Sequence, residues 1–315
     1  MTRNSSLHPF LEDRAFVITG PTSGIGLATA MEVAKHGTVV LVGRNHEKLK
    51  AVQAQIERKG HKAVCVVCDL SDIASVRRAA AEIVALRLPI AGLVNNAGIM
   101  QLHATRSAQG WDMTYATNHL GPFVLTEALI PHLPDGANVV FVASAVEDPE
   151  RVPAKTVGFR GSRYISAEAS AQGKWKPGGS KLPGADAYAT SKQGKLATML
   201  VFARETPRLH FNAVEPGVNV STSLGQRDAN VAVRLLVKTL APVLVPLLMP
   251  FMKFLSTPKR AARVITDVLL NAQGKSGVYY GEKGQRMTGS EQVRDAEFTQ
   301  RVVTETRALL SRVPA

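Results

Sequence analysis

Residues 13–26 read Asp-Arg-Ala-Phe-Val-Ile-Thr-Gly-Pro-Thr-Ser-Gly-Ile-Gly, a short β-rich apolar run that breaks into glycines. An amphipathic stretch over 25–36 follows and Gly37 closes it, so the expected order is strand, turn, helix. Gly20 and Gly24 let the backbone turn tightly and approach a pyrophosphate, while Gly26 lets the helix pack closely on the strand. The helix N-terminus adds unpaired N–H donors and the positive end of its dipole. The spacing is Gly-x-x-x-Gly-x-Gly, not Gly-x-Gly-x-x-Gly. Elsewhere such a cluster reads as a flexible turn; between a strand and a helix near the start of a chain it reads as a dinucleotide-phosphate loop.

Downstream the alternation continues. A second strand over 38–43 ends in Arg44, where folds that prefer NAD usually place an acid against the ribose 2′-hydroxyl. Arg44 instead offers a charged fork to a 2′-phosphate, so NADP (NADPH) is expected over NAD; the bland alternative is a solvated arginine. A third strand over 65–68 leads to Asp69-Leu70, and a fourth over 92–94 to Asn95-Asn96-Ala97-Gly98. Further strands are expected over 138–143, 209–214 and 277–280, and Ser290 is placed to cap a final helix. Strands alternating with helices predict an α/β fold, a Rossmann-type doubly wound parallel sheet in three αβα layers. The 315 residues read as one domain over 1–315, since 45% hydrophobic content can fill a sizeable core and no linker or repeat interrupts it.

Residues 188–192 read Tyr-Ala-Thr-Ser-Lys. On a helix, a spacing of four puts Tyr188 and Lys192 on one face, so one ammonium can sit near one phenol and favour phenolate. Bringing a phenol from its usual ~10 to neutrality takes roughly 3 units, or about 4 kcal/mol, within reach of a close cation and a polar pocket. Tyr188 is then a usable general acid or base. Alone, such a pair is more often an ordinary helix surface.

In order along the chain, Thr-Gly-x-x-x-Gly-Ile-Gly at 19–26, Asp69-Leu70, Asn95-Asn96-Ala97-Gly98, Asn118 in Thr-Asn-His-Leu-Gly, Ser144, Tyr188-x-x-x-Lys192 and Pro216-Gly217 resemble the short-chain dehydrogenases/reductases. The resemblance spans about 14–280. It is strongest to the retinol-dehydrogenase-like branch and its protochlorophyllide-reductase relatives, although no cysteine stands near 95–98 as in the latter. The resemblance implies that Tyr188 protonates a substrate carbonyl oxygen and that Ser144 hydrogen-bonds it. It also implies that Lys192 lowers the Tyr188 pKa and holds the nicotinamide ribose, and that Asn118 positions a water linking Lys192 to solvent. Asp69 would bind the adenine amino group and Asn95 would bear on the ribose side. The implied cofactor contacts extend to Thr22, Ser23, Ile25, Leu70, Asn96, Ala97, Gly98, Pro216, Gly217 and Val218, with Ser221 or Thr222 taking the carboxamide contact. Taken singly, Ser144 could be a strand-end turn residue, Asn118 a helix residue bonding its own backbone and Asn95 a link between strands.

Two segments depart from the family pattern. Ser144 and Tyr188 stand 44 residues apart, so 145–187 reads as an insertion near the active site. Its 151–181 stretch holds seven Lys or Arg against Glu168 alone, which suits either a solvated Gly-rich loop or a cationic lid. Within the variable substrate-binding segment 218–275, residues 235–255 are strongly apolar, but Pro242, Pro246 and Pro250 break any spanning helix. An apolar wall for a large hydrophobic carbonyl or alcohol is expected there, with an interfacial patch second.

Net charge is +13, yet no recognition helix or basic aromatic-rich tail points to nucleic acid. Anionic small molecules, a peripheral membrane contact and plain solubility remain; homo-oligomerisation is open. Cys65 and Cys68 point to opposite strand faces, no metal cluster is evident, and residues 1–10 lack a signal peptide, so a cytoplasmic location is expected. Two other functions stay open: reduction of an activated C=C bond, and a non-catalytic NADP sensor.

Overall fold

A computed structural model describes residues 14–218, 256–271 and 274–314. The expected carboxamide contacts Ser221 and Thr222, the apolar stretch 235–255 and most of the variable segment lie outside these residues.

Eight strands form one sheet: β1 (Ala15–Thr19), β2 (Thr38–Gly43), β3 (Ala63–Val67), β4 (Ile90–Asn95), β5 (Asn138–Val142), β6 (His210–Val214), β7 (Val278–Tyr280) and β8 (Arg286–Met287), in spatial order β3-β2-β1-β4-β5-β6-β7-β8. Every pairing is parallel except β7 with β8. All five residues of β1 are buried, the mark of a central parallel strand covered on both faces.

The sheet's period of two sorts those residues between two cores. Ala15 and Val17 face one with Val40, Leu93 and Val139; Phe16 and Ile18 face the other with Val39, Leu41 and Val94. Three helices cover the Phe16 side: α1 (Gly24–Val33), α2 (His46–Glu57) and α9 (Pro258–Leu270), through Val33, Ile56 and Leu269. The Ala15 side is covered by α3 (Ile73–Ala85), α5 (Gly121–Leu129) and α8 (Ala185–Glu205), through Val76, Phe123 and Phe202. Asn45, Asp72 and Thr257 cap α2, α3 and α9 by accepting from Lys48 N, Ala74 N and Arg260 N.

The short helix α4 (Met113–Tyr115) runs through a π turn (Ala116–Leu120) into α5. β1 crosses to β2 on one side and β4 lies on its other, so the strand order reverses between β1 and β4. A crevice opens there beyond the strands' carboxyl ends.

Two details differ from expectation. The C-terminal helix is two, α10 (Glu291–Arg294) capped by Ser290 and α11 (Ala296–Leu310) capped by Asp295, whose extended backbone and bond from Glu297 N restart the helix. β8 was not expected; two residues are too short to show a period.

The insertion is not a solvated loop. It carries α6 (Val152–Thr156) and α7 (Ala167–Ala171), and α7 buries Ala167 and Ala171. Glu305 of α11 anchors it, accepting from the Tyr164 hydroxyl at 2.6 Å and Ala167 N at 3.0 Å, while Trp175 packs edge-on against Tyr115. None of its seven cations lines the main cavity. Arg160 and Arg163 turn back on loop carbonyls, and Lys155 pairs with Glu150. No helix among the described residues is long and apolar enough to cross a membrane.

Candidate active site

A cavity of about 630 Å3 occupies the crevice. At one end the β1–α1 turn supplies Gly20, Thr22, Ser23, Gly24, Ile25 and Gly26. Gly20 (φ +67°) and Gly24 (φ +54°) take left-handed backbone that side chains resist. A Cβ at Gly26 would stand 2.1 Å from the Gly20 carbonyl oxygen, so the helix starts as close to the turn as backbone allows. Asn96 Nδ2 braces the turn from β4, donating to Thr19 O at 2.9 Å and Gly20 O at 3.2 Å, and Ala97 N donates to Thr19 Oγ1 at 3.0 Å.

Unlike Asn45 and Asp72, Ser23 makes no side-chain cap bond, and the first turn of α1 holds no acid. A left-handed glycine cradle facing an uncapped positive helix end fits a dinucleotide pyrophosphate.

Arg44, Lys48, Asp69 and Leu70 line the same cavity beside the turn. Arg44 Nη1 lies 4.0 Å from Asp69 Oδ2, while Asp69 Oδ1 accepts from Ser71 N and Oγ at 2.9 and 2.7 Å. Asp69 is thus fixed by its own turn, and the half-exposed Arg44 makes a long contact with it. Asn96, Ala97 and Gly98 form the floor.

At the other end stand Ser144, Tyr188, Lys192, Pro216, Gly217 and Val218. Tyr188 and Lys192 share one face of α8, with Lys192 Nζ 5.3 Å from the centre of the Tyr188 ring and donating to Val142 O at 2.9 Å. Burial, and then Glu215, push the Tyr188 hydroxyl well above the usual phenol range; a hydrogen bond with Ser144 acts the other way. Burial draws Lys192 down to about 8, with Glu215 opposing. This corrects the sequence reading, in which Lys192 pulled Tyr188 toward phenolate. Burial and Glu215 raise it instead, so Tyr188 is a phenol at neutral pH and Lys192 is mainly the ammonium.

Asn118 does not line the cavity. It sits in the π turn, where such irregularities often mark functional positions. Its Oδ1 accepts from Ile99 N and its Nδ2 donates to Ile99 O, both at 2.8 Å, and to Ser191 Oγ at 3.0 Å. Asn95, expected near the ribose, is instead fully buried and donates to Thr126 Oγ1 at 2.8 Å, a link between β4 and α5.

Sequence reasoning missed two groups. Glu215, at the end of β6, lines the cavity beside Tyr188 and Lys192; its only signal was an acid set directly before Pro216-Gly217 after an apolar strand. Lys195 is buried one turn beyond Lys192, and its Nζ reaches Asn95 O and Ala97 O at 3.1 Å and Val142 O at 3.5 Å. These carbonyl partners let Lys195 tie α8 to β4 and β5, while burial and Lys192 hold its pKa well below the usual lysine range.

The short chain dehydrogenase family model matches residues 14–154. The chain is 32% identical over 207 residues to bovine (Bos taurus) dehydrogenase/reductase SDR family member 12, covering 65% of this chain and 60% of that protein. It is 30% identical to the putative daunorubicin C-13 ketoreductase DnrU of Streptomyces sp. (strain C5), covering 71% and 72%, and 26% identical to human (Homo sapiens) retinol dehydrogenase 13, covering 94% and 84%. Among solved structures, a putative NAD(P)-dependent gluconate 5-dehydrogenase from Beutenbergia cavernae with bound NADP superposes with a TM-score of 0.59 at 25% identity, over 87% of this chain and 96% of that one. Motifs, fold and relatives agree that the chain belongs to the short-chain dehydrogenase/reductase family, in its retinol-dehydrogenase-like branch.

Proposed function

We propose that the protein is an NADPH-dependent oxidoreductase that moves hydride between the nicotinamide and the carbonyl or alcohol carbon of a bulky, mostly apolar substrate. One observation carries the reading: Ser144, Tyr188 and Lys192 share the wall of a single cavity with a dinucleotide-phosphate cradle and Arg44. The NADP bound by the Beutenbergia cavernae protein of similar fold is consistent with this cofactor. Gly20, Thr22, Ser23, Gly24, Ile25 and Gly26 would hold the phosphates, Arg44 the 2′-phosphate, and Asp69 with Leu70 the adenine side. Asn96, Ala97 and Gly98 would line its course, with Lys192 on the ribose and Pro216, Gly217 and Val218 on the carboxamide side. Bound NADPH would supply the hydride.

The chain's own residues do the acid–base work. Tyr188, held as a phenol, gives its proton to the carbonyl oxygen, and Ser144 hydrogen-bonds the charge that develops there. Lys192 stabilises the phenolate left behind, and Asn118 holds the 99–100 turn and α8 in register through Ile99 and Ser191. Ile99, Met100, Val146, Phe159 and Val218 make much of the wall apolar, and Phe159 packs its ring 6.2 Å from that of Tyr188. An apolar carbonyl compound suits that wall better than a sugar.

The test is NADPH oxidation by purified protein over a panel of aldehydes and ketones, long apolar ones included, with Tyr188→Phe alongside. Wild type should turn over at least one, and the Phe variant should lose about 10²-fold or more while still binding NADPH. Comparable turnover by the variant would remove Tyr188 from its role.

A further inference from the structure

We propose that Glu215 is a positioning residue of this site, its side chain clasping the turn after Ser144 to the turn after Pro216 and, when ionised, setting a negative charge against Tyr188 and Lys192. The inference rests on the hydride-transfer reading above and adds to it a charge that widens the pH range in which the acid stays protonated.

The clasp is built from both oxygens. Oε2 accepts a short bond from Ala145 N, the residue after Ser144, and Oε1 accepts from Gly217 N at 3.0 Å. The Tyr279 hydroxyl approaches Oε2 at 3.5 Å, and Glu215 N donates to Tyr280 O at 2.7 Å, so β7 fixes the residue from behind. Glu215 is 7% exposed, and a buried carboxylate is costly unless donors and cations compensate it.

The groups that feel its charge lie on three elements: Tyr188 and Lys192 on α8, Arg151 in the insertion, and Tyr279 on β7, where Glu147 adds to the field. Burial raises the Glu215 pKa above the usual carboxylate range, and the bonds from Ala145 N and Gly217 N, then the Lys192 and Arg151 cations, pull it back toward the carboxylate. Facing Tyr188, the same charge disfavours phenolate. With burial, the larger cause, that charge helps keep Tyr188 a phenol to higher pH, the form carbonyl reduction consumes. Alcohol oxidation, which needs the phenolate as base, is confined to higher pH.

Glu215→Gln keeps the shape but loses the charge and one acceptor. The chain has five tyrosines, so Tyr188 is isolated by subtracting the alkaline tyrosinate absorbance of a Tyr188→Phe partner in each background. Ionisation of Tyr188 should move to lower pH by about one unit or more in Glu215→Gln, a tenfold rise in its acid dissociation constant. The alkaline limb of kcat/KM for carbonyl reduction should move the same way. An unmoved Tyr188 titration overturns the proposal. Glu215→Asp keeps the charge and shortens the clasp; it should weaken NADPH binding while leaving Tyr188 harder to ionise than free tyrosine. Equal shifts in the Asp and Gln variants, or a Tyr188 in the Asp variant titrating like free tyrosine, also overturn it. The Asp variant carries the test alone if the Gln variant does not fold. Because the titration needs no substrate, a wild type that reduces nothing would defeat the proposed function and leave the Glu215 result standing.

Discussion

Single residues decide the chemistry of the cavity. Arg44 lines it half-exposed, with a long 4.0 Å contact to Asp69 as its ion pair among the described residues, so its guanidinium can turn to a 2′-phosphate at little cost. Arg44→Asp should raise the Kd for NADPH about tenfold or more and shift preference toward NADH, read by fluorescence titration with both cofactors. Gly26 is constrained by space alone: a Cβ there would meet the Gly20 carbonyl oxygen at 2.1 Å and Asn96 Nδ2 at 2.4 Å, and neither can retreat without opening the turn. Gly26→Ala should cost about 1–3 kcal/mol in thermal unfolding and abolish tight NADPH binding. Both residues were legible in the sequence, because a glycine pattern and a strand-end arginine are local signals.

At the scale of elements, the start of the insertion is tied to the C-terminal helices through one buried acid. Glu147, in the turn after Ser144, accepts from Ser290 N at 2.9 Å and from Ser290 Oγ at 2.6 Å, at the residue that caps α10. Burial raises its pKa from 4.5 to about 7, against the pull of the Ser290 bonds. The folded state therefore holds a proton that the unfolded chain has released, and this stability is present below pH 4.5 and lost as pH rises through about 7. Glu147→Gln should flatten the dependence, gaining roughly 3 kcal/mol relative to wild type between acid and mildly alkaline pH. Denaturant melts at several pH values check this; parallel curves for the two proteins would refute it. No motif marked Glu147. It stands in the sequence as one acid among 25 Asp and Glu, and only the approach of Ser290, 143 residues away, buries it.

For the whole molecule, charge and topology act together. The net charge of +13 sits on a protein whose cavity presents Arg44 and Lys48. NADPH association should therefore slow several-fold from low to moderate salt, as screening shortens the reach of the field. Stopped-flow rates that ignore salt would mean that the charge does not steer the cofactor. Topology places the crevice: strand order reverses beside β1, and the carboxyl ends of β1, β4, β5 and β6 deliver Gly20, Asn96, Ser144 and Pro216 to one opening.

The sequence by itself determined the fold class, the glycine cradle, the Tyr188–Lys192 face and the order of the motifs, because each depends on residues within a turn or two of one another. Strand ends moved by only a residue or two. The tertiary structure alone decided three things. It removed Asn95 to a structural bond with Thr126, it folded the insertion onto α11 through Glu305, and it placed Glu215 against the phenol. These outcomes depend on distance and burial. A pKa is set by how much water and which charges surround a group, and residues 147, 188, 215 and 290 meet only once the sheet has brought them together.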